Sequence, residues 1–274
     1  MTEIVESGLT LGPKNGTLII IGGGFNNGIK DKFLDLAGGK DAIIVIIPTA
    51  IEDDLIRIFA RKQVRSYKKD FGIDNVTSLH TRDPVEANTE EFVKPLKKAT
   101  SVVIMGGRHW RLTDAYLNTL VVKELFGVLE RGGVIAGSSA GATIQGSYMI
   151  RGDTKTNTIL MGDHVEGFGF VKNVVIDQHI LARNRQFDLK KVLEKHPELL
   201  GIGIDENTGI IVKGNEFEVI GKSYVAIHDG TMCEFICDGG PEVKKVTKLP
   251  PNSYKFYFLG HGRRYDLKNR CVIK

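Results

Sequence analysis

Cysteine is scarce in this chain. Its 274 residues contain three, Cys233, Cys237 and Cys271, which form no C-x-x-C pair and no Cys/His set at zinc spacing. A disulfide scaffold and a structural zinc site are therefore excluded, and three late thiols are typical of a reduced cytosolic protein. Histidine pairs of the H-x-H or H-E-x-x-H type are also absent, so we expect no bound metal.

Long apolar runs are missing as well. No stretch reaches the ~18–20 apolar residues that a membrane-spanning helix needs. Residues 1–16 are polar and carry Glu3 and Glu6, unlike the basic and apolar segments of a secretory signal. We therefore expect a cytoplasmic protein with no membrane partner.

The sequence has no large excess of basic or acidic residues either. The formal net charge is +4, and lysine and arginine are interspersed with acidic residues instead of forming a stripe. We therefore expect no nucleic-acid partner. With 42% hydrophobic and 26% charged residues the composition is that of a globular protein, and the length favours one α/β domain over residues 1–274.

Short apolar runs rich in β-branched residues alternate with helical patterns, which indicates βα units around a parallel sheet. The predicted strands are Thr17–Ile21, Ala42–Pro48, Val76–Leu79, Ser101–Met105, Val134–Ala136 and Val174–Ile176. The predicted helices are Ile51–Phe71, Pro84–Ala99, Trp110–Arg131, Ala140–Tyr148 and Asp188–His196. A β-rich edge or small antiparallel sheet is predicted from Gly201–Ile204, Gly209–Val212, Glu216–Ile220 and Tyr224–Ile227.

Glycine-rich or polar segments follow four of these strands, namely Gly22–Gly24, Gly106–Gly107, Gly137–Gly141 and Asp177–His179. Ligands of open α/β sheets bind beyond the carboxyl ends of the strands, so we expect the functional site there. The triple glycine lacks G-x-G-x-x-G spacing and the acidic residue that a ribose needs, which argues against a nucleotide site.

The segment Gly137-Ser138-Ser139-Ala140-Gly141 lies between a predicted strand and a predicted helix. This context is typical of a G-x-S-x-G nucleophile elbow, and the spacing to both glycines selects Ser139 over Ser138. The amides of Ala140 and Gly107 are candidate oxyanion donors. The alternative is an ordinary glycine-rich turn.

His179 is the candidate general base because it closes an apolar strand, where it could meet a serine from another strand end. A structural role for a single histidine at a strand end is the alternative. The other six histidines are separated in sequence.

Four segments together resemble cyanophycinases and, more broadly, the peptidase family that also contains the aspartyl dipeptidases. They are Gly106-Gly107, Gly137–Ala142, Asp177-Gln178-His179 with Arg183 and Arg185, and Gly203–Thr208. A fifth, Leu259–Leu267, is looser, and the order agrees from about Gly16 to Leu267.

The resemblance implies a flavodoxin-like, three-layer α/β/α sandwich akin to the class I glutamine amidotransferase scaffold, with a small C-terminal antiparallel region and often a homodimer. It implies acyl transfer at an aspartyl or β-aspartyl (iso)peptide bond by Ser139 and His179, without metal or organic cofactor. Cyanophycinases release β-aspartyl-arginine dipeptides from a poly-aspartate backbone that carries arginines.

The substrate-binding residues implied by the resemblance are Asp177, Gln178, Arg183 and Arg185, to which we add His109 as a candidate. A guanidinium fork binds a substrate carboxylate in bidentate fashion. Three positions depart from the cyanophycinase pattern: Arg108 and His109 follow the double glycine, and Asp188 stands where a third arginine is usual. An aspartyl or isoaspartyl dipeptidase of different specificity therefore remains an alternative, as does a non-catalytic binding protein.

The acid that orients the histidine lies, in this family, after the nucleophile and before the base. Asp153 is the first candidate for this third member of the triad, and its role is to fix the imidazole tautomer. Asp163, Glu166, Asp205 and Glu206 are the other candidates.

Overall fold

Parallel strands joined by helices form the centre of the structure, a computed structural model that describes residues 10–235, 243–248 and 255–273. Cys237 and residues 1–9 of the polar N-terminal segment lie outside the described residues. The helices are α1 (Asn27–Ala37), α2 (Asp53–Phe71), α3 (Pro84–Ala87), α4 (Glu90–Lys98), α5 (Trp110–Tyr116), α6 (Leu120–Glu130), α7 (Ala140–Thr143) and α8 (Asp188–Leu193). A 3-10 turn covers Gly39–Asp41.

The strands fall into two large sheets and one small pair. They are β1 (Thr17–Ile21), β2 (Ile44–Ile47), β3 (Val76–Ser78), β4 (Ser101–Ile104), β5 (Val134–Ser138), β6 (Gly146–Tyr148), β7 (Val171–Gln178), β8 (Leu200–Ile204), β9 (Thr208–Lys213), β10 (Glu216–Gly221), β11 (Val225–His228), β12 (Thr231–Phe235), β13 (Val243–Lys248), β14 (Tyr257–Leu259), β15 (Arg264–Asp266) and β16 (Cys271–Ile273).

The larger sheet has nine strands in the order β16-β15-β10-β9-β1-β5-β4-β2-β3. Strands β1, β5, β4, β2 and β3 are parallel, and β9 joins β1 in the antiparallel direction. The second sheet has the order β14-β11-β8-β7-β6, with β6, β7 and β8 parallel. The later strands predicted as one β-rich region are thus divided between the two sheets.

Both faces of the nine-stranded sheet are covered, as its continuously apolar strands require. Alternate residues of β1 point to opposite faces: Ile19 and Ile21 pack with residues of α1 and α2, whereas Leu18 and Ile20 pack with α4, α6 and the second sheet. The predicted α/β fold with helices on both sides of a parallel sheet is confirmed. Among the described residues, no helix has the length and apolar character needed to cross a bilayer.

Two predicted helices are interrupted, and each break has a local cause. The Trp110–Arg131 pattern divides at Asn118, which has a φ of 61°, and Thr119 then caps α6 by accepting a hydrogen bond from the amide of Val121. The Pro84–Ala99 pattern divides where Thr89 caps α4. A hydroxyl at an N-cap satisfies an amide that the new helix leaves unpaired.

The segment after the serine elbow also differs from the prediction. The helix there ends at Thr143, and Gly146–Tyr148 is strand β6 of the second sheet. The four-residue helix α7 packs against β7, so it lies between the two sheets. Helix α1 is not among the predicted helices, although its apolar residues Ile29, Phe33 and Ala37 recur at helical spacing.

Candidate active site

Ser139 stands at a strained turn at the carboxyl end of β5. Its φ is 57° and its ψ is −114°, a backbone conformation that is costly for any residue with a Cβ atom. The amide of Ser139 donates a hydrogen bond of 3.0 Å to the carbonyl of Ile21, which fastens the turn to the end of β1. Helix α7 begins at the next residue, as in a nucleophile elbow.

The imidazole of His179 meets this serine. His179 directly follows β7 of the second sheet, has a φ of 55°, and places its Nε2 atom 2.9 Å from Ser139 Oγ. Two residues forty positions apart thus come together from different sheets. The 2.9 Å separation is within hydrogen-bonding range for a hydroxyl that donates to an imidazole nitrogen.

The other ring nitrogen of His179 contacts a carboxylate. Its Nδ1 atom lies 2.7 Å from Oε1 of Glu206, which follows β8 in the connection to β9. Because Nδ1–H donates to this carboxylate, Nε2 carries the lone pair that can accept the hydrogen of Ser139. The side chain of His179 is 9% exposed and that of Glu206 is 42% exposed.

Gly23 makes room for this pair at the end of β1. A Cβ atom there would lie 2.3 Å from Cε1 of His179, closer than the two atoms can approach, and in a tight contact of 3.1 Å with Cγ of Glu206. The amide of Asn207 also donates to the carbonyl of Gly23, at 2.6 Å. The triple glycine therefore admits the imidazole and holds the Glu206 segment beside it.

Asp153, the first candidate for the orienting acid, does not reach His179. Its Oδ1 atom instead accepts hydrogen bonds from the amides of Lys155 and Thr156 in its own loop, at 2.9 and 3.2 Å, as a short acidic side chain in a turn commonly does. The structure therefore corrects this expectation: the acid at the imidazole is Glu206.

Besides Glu206, the other three candidate acids make no hydrogen bond to His179 within the described residues. Asp163 bonds to Thr154 and His164, and Glu166 is exposed. Asp205 accepts hydrogen bonds of 3.0 Å from the amides of Leu181 and Ala182.

Asp205 holds the backbone turn that follows His179. Besides the two amides of the turn after His179, its carboxylate accepts a 2.6 Å hydrogen bond from Ser223 Oγ. Burial raises the pKa of Asp205, but these hydrogen bonds outweigh it and leave the pKa below its ordinary value. The ionised carboxylate thus fixes the turn that carries the imidazole.

The electrostatic surroundings favour a neutral imidazole. Burial is the largest influence and lowers the pKa of His179, and the nearby charge of Arg183 lowers it further. The contact with Glu206 acts in the opposite direction without reversing the net decrease. At neutral pH the ring therefore holds the free lone pair that a general base requires.

Asp177 does not present its carboxylate to a ligand. It is fully buried, and Arg151 donates to both of its oxygens at 2.9 and 2.8 Å. The expected contact between Asp177 and substrate is therefore replaced by an internal ion pair. Asp188 joins it, with Oδ2 2.7 Å from Nη2 of Arg151.

Three of the remaining predicted substrate-binding residues, Gln178, Arg185 and His109, contact one another. Oε1 of Gln178 accepts a 3.1 Å hydrogen bond from Arg185, and its Nε2 lies 3.3 Å from Nε2 of His109. Burial lowers the pKa of His109 to about 3, so its ring is neutral. Arg183 is exposed and Arg185 is half-buried.

The double glycine after β4 lies against the serine. A Cβ atom at Gly106 would stand 2.9 Å from the Cβ of Ser139, and Gly107 has a φ of 146° that only glycine adopts readily. Ala140 is the first residue of α7, where an amide has no acceptor within its own helix. No group of three or more His, Cys, Asp or Glu side chains suited to a metal occurs in the described part of the chain.

The sequence has curated relatives over most of its length. Cyanophycinase from Geminocystis herdmanii is 33% identical over 267 residues, which cover 92% of this chain and 94% of that protein. Cyanophycinase from Nostoc sp. is 31% identical over 246 residues, or 88% of this chain and 80% of the relative.

Solved structures have the same fold. A peptidase from an acI-B1 Actinobacterium has a TM-score of 0.64 at 25% identity and covers 79% of this chain and 91% of its own. A putative peptidase E from Listeria monocytogenes has a TM-score of 0.52 at 19% identity, with 76% and 99% covered, and shares the fold alone. The model of peptidase family S51 matches residues 18–220, which contain Ser139, His179 and Glu206. The chain belongs to peptidase family S51.

Proposed function

We propose that this chain is a serine-type peptidase in which Ser139, His179 and Glu206 act as a triad. Ser139 Oγ attacks the carbonyl carbon of the substrate while His179 Nε2 takes its proton, and the same proton then passes to the leaving amine. Glu206 keeps the proton on Nδ1 and stabilises the imidazolium. The observation that carries this proposal is the pair of contacts of 2.9 and 2.7 Å on the two ring nitrogens.

The amides of Ala140 and Gly107 are the proposed oxyanion donors. The amide of Ser139 itself is bound to Ile21, so donors must come from residues around it. Ala140 begins α7, and the turn at Gly106 touches the serine. Each such donor typically contributes about 10²–10³-fold to kcat.

The proposed substrate is an aspartyl or β-aspartyl peptide or isopeptide, cleaved from its end. Arg183, Arg185 and Gln178 lie beside the base, where guanidinium groups can bind the free carboxylates of such a substrate. The relatives named cyanophycinase support one specific form, the release of β-aspartyl-arginine dipeptides from cyanophycin. Arg108, His109 and Asp188 favour the alternative of a dipeptidase with different specificity.

From the same resemblance we propose that the protein is a cytoplasmic homodimer. It would act on a peptide or poly-aspartate substrate without an organic cofactor. Light scattering of the purified protein tests the dimer directly. A non-catalytic binding protein is the remaining alternative, and it predicts a serine that does not react.

The test is replacement of Ser139 by Ala. We expect kcat to fall by about 10⁴–10⁶-fold on any cleaved substrate, because the nucleophilic oxygen is lost. The melting temperature should not change, because the substitution removes one oxygen atom and leaves the backbone of the site in place. Ser138→Ala is the matched control and should retain turnover. Cyanophycin and α- and β-aspartyl dipeptides are incubated with each protein and products are identified by mass. Unchanged turnover in Ser139→Ala, or no labelling of Ser139 by a serine-directed acylating probe, would refute the proposal.

A further inference from the structure

We infer that Arg151 is a positioning residue, whose guanidinium holds together the two ends of the segment that carries the base and so fixes the position of the His179 imidazole. This segment, residues 179–187, follows β7 and precedes α8, and we call it the base loop. The inference rests on the proposed function, because it assigns Arg151 a part in the reaction of Ser139 with His179.

The guanidinium of Arg151 reaches both ends of the base loop. Its Nε and Nη2 atoms donate to the two oxygens of Asp177, at 2.9 and 2.8 Å, and Asp177 lies two residues before His179. Its Nη2 atom also donates to Oδ2 of Asp188, the first residue of α8, at 2.7 Å. One planar group thus joins the two ends of the loop, which the single ammonium group of a lysine could not do in the same geometry.

Arg151 is itself held in place. Its side chain is 3% exposed, and its amide donates to the carbonyl of Leu160 at 2.9 Å. Its Nη1 atom donates to the carbonyl of Asn157 at 3.4 Å. Its φ of 60° is a left-handed conformation that is costly for a residue with a Cβ atom. Such conformations persist where the surrounding contacts fix them, so the guanidinium is a rigid anchor for the loop.

The base loop requires an anchor of this kind. It contains no glycine, yet His179 and Asn184 have φ values of 55° and 53°. Asp205 holds only the first half of the loop, through the amides of Leu181 and Ala182. The two ends of the loop are fixed by the guanidinium, so loss of its contacts would leave the backbone around the imidazole less constrained.

The segment that carries Arg151 also contacts the other side of the reaction centre. Arg108 directly follows Gly107, whose amide is a proposed oxyanion donor. Its Nη2 atom donates to the carbonyls of Asp153 and Thr154, at 2.8 and 3.1 Å, two and three residues after Arg151. One short segment therefore connects the turn at Gly107 with the base loop.

Stability alone does not account for this cluster of charges. Well-packed apolar side chains in place of a buried ion pair are often as stabilising or more so, because the charges lose their hydration on burial. Charged groups supply instead short hydrogen bonds in a fixed geometry. Asp188 joins the cluster although its side chain is 33% exposed, so its contribution is the contact across the loop and not burial.

The test is Arg151→Lys, which keeps the charge and removes the fork. The readout is the rate at which a serine-directed acylating probe labels Ser139 between pH 4 and 9, which requires the nucleophile and the base but no identified substrate. We expect labelling to slow by about tenfold or more, because a misplacement of ~1 Å at a reacting group can cost ~10²-fold.

The acid limb of the labelling profile should also move to higher pH. Burial is the largest influence on the pKa of His179 and lowers it, and the charges of Arg183 and Arg185 act in the same direction. Glu206 raises it. A loosened base loop weakens the influences that lower the pKa, so the pKa rises, whereas Arg151→Lys itself changes no charge. A purely structural role would lower the melting temperature and leave this limb in place.

Asp188→Ala is the second variant, and it decides the question if Arg151→Lys fails to fold. It should also slow labelling, and Asp188→Glu should restore part of the rate. Glu194→Ala is the matched control, because it removes a carboxylate at the end of the same helix whose partner is Lys190, and it should label at the native rate. Native labelling and an unmoved acid limb in either folded variant, Arg151→Lys or Asp188→Ala, would overturn this inference and leave the proposed triad standing. A native protein whose Ser139 is not labelled would overturn both.

Discussion

Replacement of Glu206 by Gln is the sharpest test of the proposed triad, because it removes one charge and preserves the shape of the side chain. During catalysis His179 becomes an imidazolium whose Nδ1 lies 2.7 Å from the carboxylate. Opposite unit charges at this distance attract by ~1.5 kcal/mol in bulk water and by ~6 kcal/mol at an effective dielectric constant of ~20.

The exposure of Glu206 decides between these limits. Its side chain is 42% exposed, so solvent partly screens the attraction between the carboxylate and the imidazolium. We therefore expect this attraction to stabilise the imidazolium by ~3 kcal/mol, between the two limits. At ~1.4 kcal/mol for each factor of ten, kcat should fall by about 10²-fold. The melting temperature should change little, because the carboxylate is partly solvated.

The pH profile gives the second readout. Glu206 raises the pKa of His179, whereas burial and Arg183 lower it. The neutral imidazole is the active form, so activity rises as pH increases through this pKa. Glu206→Gln should therefore move the acid limb of kcat/KM to lower pH, and Arg183→Gln should move it to higher pH.

The assay is steady-state hydrolysis of the best dipeptide between pH 4 and 9, with Asp153→Asn and Glu166→Gln as matched controls. Asp153→Asn keeps an oxygen acceptor for the amides of its loop and should stay within about threefold of the native rate. A Glu206→Gln protein within threefold of native, beside an Asp153→Asn protein that has lost about 10²-fold, would refute the reasoning.

Three further predictions follow from close contacts. Gly23→Ala places a Cβ atom 2.3 Å from the His179 ring, and the displaced imidazole should cost about 10²-fold or more in kcat/KM. Arg151→Met leaves the buried carboxylate of Asp177 without its ion-pair partner, with only the amide of Gln178 still donating to it, and should reduce the free energy of unfolding by about 3–5 kcal/mol in urea titrations. Asp205→Ala should cost roughly 1–3 kcal/mol at neutral pH. Because the pKa of Asp205 is lowered from 3.8, the difference from native should shrink as pH falls below that value.

The Arg151→Met prediction has a control variant, and the other two predictions each have a result that would contradict them. Arg264→Met breaks an exposed pair with Glu216 and should cost under about 1 kcal/mol, in contrast to Arg151→Met. A Gly23→Ala protein with native kcat/KM would show that the imidazole can shift without loss of the proton relay. A destabilisation in Asp205→Ala that grows at low pH would contradict the sign given above.

The serine and the histidine could be read from the sequence because both are marked locally. Ser139 lies in a glycine-bounded segment between a strand and a helix, and His179 closes an apolar strand. Each signal depends on neighbours in sequence, and the parallel sheets then bring strand ends to a common edge. The parallel strands β1 to β5 were predicted for the same reason, whereas β6 lies within a predicted helix and β12 to β16 were not predicted as strands.

The orienting acid could not be chosen in this way. Several carboxylates follow the nucleophile, and only the contact of Glu206 with Gly23, 183 positions earlier, brings one of them to the imidazole. Arg151 was missed because it lies in an irregular loop whose left-handed backbone has no glycine to mark it. The split of Trp110–Arg131 was missed because the apolar pattern continues across Asn118 while the backbone turns.

Helix α7 has a consequence for engineering this protein. It has only four residues, with Ser139 immediately before it, and it rests on β7, the strand that ends beside His179. Helix α7 packs against both β5, which ends at the serine, and β7, and its residues Ala140 and Ala142 are fully buried. A larger side chain at Ala142 would be overpacked here, and the backbone shift that relieves it would act on the strands that carry Ser139 and His179. A change in the packing between the two sheets should therefore lower kcat more clearly than it lowers the melting temperature.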